Sequence, residues 1–104
     1  MIRVSAMYPT TPGKTFDHDY YRDSHVPLAL RLFGPHGLQR VEIDRGIEGP
    51  GPGQAPPYVA IGHLFFDSAE GFHAALAANG AEVLGDIPNF TQIDAQLQLS
   101  EIVS

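Results

Sequence analysis

The segment 58–66, YVAIGHLFF, constrains the fold more than any other part of the chain. Its β-branched and aromatic residues predict a strand. Both alternating sets of side chains are apolar apart from His63, whereas a half-exposed antiparallel strand alternates between apolar and polar residues. We therefore expect both faces of this strand to be covered.

Three further segments are typical of strands. Residues 2–8 are mostly β-branched or apolar and stop before Pro9, and residues 38–47 alternate in polarity. Residues 91–103 also alternate, with Ile93, Ala95, Leu97 and Leu99 expected to face inward. With one helix after the first strand and another after the third, the order is β-α-β-β-α-β. This order predicts a single domain over 1–104 with the ferredoxin-like α+β fold, a four-stranded antiparallel sheet with two helices on one face.

The second face of such a sheet has no element of the chain left to cover it. A second copy, packed sheet against sheet about a two-fold axis, would bury it. The sequence therefore favours a homodimer. The alternative is a monomer in which one face of the third strand is only half-buried.

Proline and capping residues predict the limits of the helices. Asp17 is expected to cap the first helix, and Pro27 to break it near His25–Val26 and to begin a second piece that ends at Gly34-Pro35. The later helix is expected to begin with a capping pair of Asp67 and Glu70 and to end at Asn79-Gly80, followed by a turn at 81–85. Its buried stripe is expected to consist of Phe72, Ala75 and Leu76.

Two loops complete the expected organisation. Seven of the nine residues at 49–57 are Gly or Pro, which predicts a mobile loop with few backbone hydrogen bonds. Residues 86–90 predict a turn in which the Ile87–Pro88 peptide is trans.

The charge balance excludes several classes of partner. Twelve Asp and Glu against six Lys and Arg give a formal charge of -6, which disfavours nucleic acid and anionic membranes as partners.

There is no cysteine for a disulfide or a thiolate metal site. The first residues show no long apolar stretch of the signal-peptide kind, so we expect a cytoplasmic protein.

Three segments of the chain resemble the EthD family, named for a protein of ethyl tert-butyl ether degradation. They are FDHDYYRDSHVPL at 16–28, YVAIGHLFFDSAEGFHAAL at 58–76 and GDIPNFT at 85–91. The resemblance implies membership of the dimeric α+β barrel superfamily, and hence a homodimer with a cleft between each sheet and its helices. Members of that superfamily include cofactor-free monooxygenases, isomerases and cyclases, so the fold does not settle the function.

His25 is the first candidate for chemistry. It shares a helical stripe with Tyr21 and Leu28, and imidazole ordinarily titrates near neutral pH, which suits proton transfer. The resemblance implies that this histidine lines the pocket. Its alternative role is to cap backbone groups freed by the helix break.

The remaining candidates are substrate-binding residues: His63, Tyr8, Tyr21 and Asn89, with Tyr20 as a further aromatic. His63 is the one polar side chain on its face of the third strand and could point into the cavity, or be a core histidine satisfied by a neighbour. The tyrosines could serve packing alone, and Asn89 could simply hold its own turn.

No cofactor or metal is expected. The first strand is not followed by G-x-G-x-x-G, so nothing supports the reductase label that the family often carries, and no histidine pair has a metal-ligand spacing. Two hypotheses remain. The chain is a cofactor-independent catabolic enzyme acting on a small apolar or aromatic, oxygen-bearing molecule with His25 as general acid or base. Alternatively, it is a non-catalytic binding module that serves a partner oxygenase.

Overall fold

Four antiparallel strands form the sheet at the centre of the computed structural model, which describes all 104 residues. They are β1 (Ile2–Pro9), β2 (Leu38–Arg45), β3 (Tyr58–Phe66) and β4 (Gln96–Glu101), in the spatial order β2-β3-β1-β4. The helical segments are α1 (His18–Tyr20), a π-helical turn (Tyr21–His25), α2 (Val26–Phe33) and α3 (Ala69–Gly85). The predicted α+β ferredoxin-like fold is confirmed.

The register of β1 against β3 decides which side chains face the helices. Val4 lies opposite Leu64, and Tyr8 opposite Ala60. The apolar residues of this face pack with the helices into two buried clusters, one around Phe33 and Phe66 and the other around Tyr8 and Phe90. Residues of both clusters line a cavity between the helices and the sheet.

The helix-free face of the sheet is mixed rather than uniformly apolar. Met7 and Ile61 are half-buried there, and Phe65 is buried beneath the guanidinium of Arg40, 3.9 Å from its ring centroid. His63 also lies on this face. The apolar character predicted for β3 on both sides is therefore present, but polar side chains of β1 and β2 surround it.

The helix does not break before Pro27, contrary to the sequence-based prediction. Val26 keeps helical dihedral angles, and its N–H donates to the carbonyl of Tyr21 in a π-helical turn. Because the α-helical register restarts there, Pro27 falls in the first turn of α2, where a missing N–H costs little. The predicted caps and ends of this segment hold otherwise: Asp17 accepts from the Tyr20 N–H, and α2 ends before Gly34.

The start and end of α3 correct two predictions. Ser68, not Asp67, is the N-cap, and its hydroxyl accepts from the Gly71 N–H at 3.1 Å. The helix also continues through Gly80 to Gly85 as one element. Gly80 lacks the positive φ of a C-terminal glycine and is buried within the helix instead.

The fourth strand is shorter than predicted. Regular pairing begins at Gln96, and the pairing of Ala6 with Leu97 places Leu97 on the helix-side face as expected. Leu97 is nevertheless 54% exposed, because β4 is an edge strand that the helices do not fully cover.

The glycine- and proline-rich loop contains neither helix nor strand, as predicted. It is not free of backbone hydrogen bonds, because the Gly49 N–H donates to the Gln54 carbonyl at 2.9 Å and the Gln54 N–H donates to the Gly51 carbonyl at 3.1 Å. Its mobility stays a prediction that amide hydrogen exchange would measure. The turn before β4 is a 3₁₀ turn at Ile87–Asn89, and no peptide bond is cis. None of the helices has the length and apolarity needed to span a bilayer.

Candidate functional site

A cavity of about 390 Å³ lies between the helices and the sheet. Hydrophobic side chains make up 17 of its 20 lining residues. The sheet contributes Val4, Ala6, Tyr8, Val41, Leu64 and Leu97, and α2 and α3 contribute Ala29, Phe33, Leu76, Val83 and Leu84. A mostly apolar hollow with a few polar groups is the usual form of a small-molecule site.

His25 is the polar side chain at the inner wall of this cavity. It ends the π-helical turn, is 8% exposed, and has its ring 4.7 Å from that of Phe90 and 5.4 Å from that of Tyr21. A residue inserted into a helix turns everything after it by about 100°. The π turn therefore decides which way the residues from α2 onward face relative to Tyr21, and such turns are frequent at functional sites.

Asp86 orients the imidazole of His25 through a hydrogen bond to Nδ1. Its Oδ2 lies 2.9 Å from Nδ1 of His25, while Oδ1 accepts from the Tyr20 hydroxyl at 2.8 Å and from the Asn89 amide at 2.9 Å. Burial acts to raise the pKa of Asp86, but the hydrogen bonds from Asn89, His25 and Tyr20 outweigh it and the pKa is lowered. An ionised carboxylate can only accept hydrogen bonds, so Nδ1 of His25 carries the proton.

The second nitrogen of His25, Nε2, then carries no proton in the neutral ring. No protein group hydrogen-bonds to Nε2, and the one fully buried side-chain nitrogen or oxygen without a partner is Nε of Arg3. His25 lines the cavity, so Nε2 is left free to accept a hydrogen bond from a molecule bound there. A carboxylate that fixes the tautomer and orientation of a histidine is the arrangement that general bases use.

Tyr8 and Tyr21 line the same cavity, and their role in substrate binding stays a prediction. Burial raises the pKa of Tyr8 to about 12 and raises that of Tyr21 further, with the nearby Tyr8 as a second cause. Both phenols therefore keep their protons at neutral pH and can donate hydrogen bonds. The Tyr21 hydroxyl sits directly over Gly62, where any Cβ would collide with it.

His63 does not line this cavity, and its role in binding stays a prediction. It lies on the helix-free face because β3 alternates and its neighbours Gly62 and Leu64 occupy the helix side. Its ring is satisfied by two neighbours, with Ser5 Oγ 3.2 Å from Nδ1 and Asp44 Oδ2 2.9 Å from Nε2. These contacts fit the alternative role of His63, a histidine whose hydrogen bonds are satisfied by its neighbours.

Asn89 does not line the cavity either. It is exposed, and its amide donates to Asp86 within its own turn. Asn89 therefore acts on the site only through the carboxylate that orients His25. Asp86 itself is the residue that sequence reasoning missed. Its signal was weak: a lone acidic residue just before the Ile87-Pro88 turn.

The acidic and histidine side chains at the start of the first helix make structural contacts. Asp17 caps the first helix, and the ring of His18 packs against that of Phe16 at 4.7 Å. No group of three His, Cys, Asp or Glu side chains is arranged to hold a metal ion.

The comparisons with known proteins place this geometry in a family. A family model described as EthD domain matches residues 13–94. An EthD-like protein from Ralstonia eutropha has a TM-score of 0.94 and 43% identity, covering 99% of this chain and 92% of that chain. An EthD family protein from Bacillus halodurans has a TM-score of 0.66 and 20% identity over 99% of both chains.

A dimeric ferredoxin-like protein from Thermobifida fusca, with a TM-score of 0.56 and 17% identity, covers 97% of this chain and 90% of that chain and shares the fold. No curated protein matches the chain in sequence. The family model covers most of the chain, including His25 and Asp86, and the similarity to the Ralstonia eutropha protein extends over nearly the full length. This chain belongs to the EthD family.

Proposed function

We propose that the chain is a cofactor-independent enzyme that moves a proton on a small apolar, oxygen-bearing molecule. The observation that carries the proposal is the His25–Asp86 pair, 2.9 Å apart, with Nε2 free toward an apolar cavity. Membership of the EthD family supports the assignment of this chain to the processing of a small molecule. General acid–base catalysis by a positioned histidine requires no other group.

In the proposed step, Nε2 of His25 removes a proton from an acidic C–H or O–H of the bound molecule. The imidazolium that forms is stabilised by the Asp86 carboxylate, and the electron pair moves onto the substrate oxygen. The hydroxyls of Tyr8 and Tyr21, on the same cavity wall, are hydrogen-bonded to each other, which leaves the pair one proton to donate to that oxygen. Return of the proton to another atom of the substrate completes an isomerisation with no change in composition.

Exchange of substrate protons for solvent deuterium tests this step without knowledge of the product. A panel of apolar lactones, cyclic ketones and phenolic ketones is incubated with the protein in D₂O, and loss of the acidic C–H signal is followed by NMR. Binding is measured separately by thermal shift, because a ligand of the folded state raises Tm. We expect exchange to be lost in His25→Ala while binding remains, and to persist in His73→Ala, which alters an exposed histidine on α3.

The same experiment separates the enzyme from the binding module. Binding by the wild-type protein with no exchange of any panel member would contradict the enzyme and favour a module that delivers its ligand to a partner oxygenase. Asp86→Asn gives a further distinction. If Asp86 orients the base, this variant slows exchange by about 10- to 100-fold, in line with loss of an outer-shell partner, with little change in binding.

We further propose that two copies pair through the helix-free face of the sheet. The strip of Met7, Ile61 and Phe65 on that face is interrupted by the opposed Ser5 and His63. Nε of Arg3, which lies opposite Phe65, is buried without a hydrogen-bond partner in the single chain. The Thermobifida fusca protein with this fold is described as dimeric. Such pairing leaves the helix-side cavity of each copy separate.

A further inference from the structure

We propose that the cavity selects molecules that enter without charge and excludes carboxylates of the same shape. This inference rests on the proposed function, since it concerns the ligand of the same cavity. It follows from where the charges of the chain lie relative to the cavity and its opening.

No cationic side chain faces the cavity. The six basic residues are Arg3, Lys14, Arg22, Arg31, Arg40 and Arg45, and none belongs to the lining. His25 is the one lining group that can become positive, and Asp86 at 2.9 Å already supplies its counter-charge. An anionic ligand would therefore lose its hydration without gaining a free cation, which is costly in an apolar environment.

The opening of the cavity carries a negative charge. Leu84 is 47% exposed and Leu97 is 54% exposed, yet both line the cavity, so they mark the place where it meets solvent. Asp94 lines the cavity and is also exposed. Like the two leucines, this carboxylate belongs to the exposed part of the lining, so an apolar molecule can enter while an acid is repelled before its own carboxylate reaches the interior.

A pair of probes with the same rings tests the proposal: methyl 2-naphthoate, which is neutral, and 2-naphthoate, which is an anion at pH 7.5. Dissociation constants are measured by ligand fluorescence at low ionic strength, where screening is weak. We expect the ester to bind at least about tenfold more tightly than the acid, since an unpaired buried charge is disfavoured. Asp94→Asn should lower the ratio of the dissociation constant of the acid to that of the ester. Glu70→Gln, which removes an exposed charge on α3, should leave this ratio unchanged.

Location of the probe is checked with Ala6→Leu, which fills part of the cavity floor and should weaken ester binding if the cavity is the site. Circular dichroism confirms that this variant folds. Equal binding of ester and acid by the wild-type protein would overturn the charge selection while leaving the site itself in place. Ester binding that is absent from the wild-type protein, or unaffected by Ala6→Leu, would overturn both this inference and the proposed function.

Discussion

Gly62 shows how one missing side chain makes room for the aromatic wall of the site. Its position on β3 lies directly under the Tyr21 hydroxyl, and a Cβ there would occupy the same space as that oxygen. A strand glycine is ordinarily a weak choice, and it commonly marks a close approach of another group. Here the approaching group is a tyrosine that lines the cavity and stacks on His25.

Gly62→Ala should lower the free energy of unfolding by about 2 kcal/mol, the usual cost of overpacking a filled interior. Urea unfolding measures the loss. The penalty should shrink in a Tyr21→Phe background, because the phenol oxygen that causes the collision is gone. Gly85→Ala, with open space around its Cβ, is the matched control and should cost nothing. An equal penalty in both tyrosine and phenylalanine backgrounds would contradict this account.

Asp86 couples the site to stability in acid. Although burial opposes ionisation, the hydrogen bonds from Asn89, His25 and Tyr20 lower its pKa in the folded state. The unfolded chain therefore binds the proton first as pH falls, and the stabilisation by Asp86 is present above its unfolded pKa and lost as pH drops through the lower folded value.

The stability difference between wild type and Asp86→Asn should accordingly be largest near neutrality and should shrink below pH about 4. Urea unfolding at a series of pH values measures it. Glu70→Gln is the control for the loss of a carboxylate, because the exposed Glu70 side chain makes no hydrogen bond. A difference that stays constant down to pH about 2 would show that the hydrogen bonds to Asp86 do not depend on its charge.

At the scale of elements, the first turn of α3 depends on Ser68. Its hydroxyl satisfies the Gly71 N–H, whereas the Asp67 carboxylate accepts from the exposed Gln39 amide. Ser68→Ala should cost about 1 kcal/mol, typical of a lost N-cap. Asp67→Ala should cost less, and thermal unfolding of the two variants compares them directly. A larger loss for Asp67→Ala would restore Asp67 as the stabilising residue of this terminus.

The helical segments show where local sequence rules succeed and where they fail. Asp17 was correctly expected to cap the first helix because capping depends on residues three apart in the chain. Pro27 was expected to interrupt the helix, and Gly80 to end one, on equally local grounds. The helical backbone continues through Val26, but Pro27 does stand in the first turn of a second piece, α2, as predicted. Gly80 instead lies inside α3, because helical stability comes largely from tertiary packing rather than from local propensity.

At the scale of the whole molecule, the helix-free face predicts association. If the strip of Met7, Ile61 and Phe65 pairs with its copy, sedimentation equilibrium at micromolar concentration should give twice the 11.3 kDa chain mass. Ile61→Arg should shift the equilibrium toward single chains, since an unpaired charge would be buried between the sheets. Leu30→Arg, on the exposed side of α2, should not. A single-chain mass for the wild type would remove the proposed interface.

The sequence by itself determined the order of the elements, the ferredoxin-like sheet and the inward position of His25, because hydrophobic alternation, helical spacing and turn residues act over a few neighbours. Only the tertiary structure decided which groups meet. Asp86 lies 61 positions from His25, and folding brings them within 2.9 Å. Likewise, His63 faces away from the cavity because the pairing of β3 with β1 fixes which alternate set of side chains looks toward the helices. Contacts between distant segments arise from how the sheet and helices pack, and no local pattern in the chain records them.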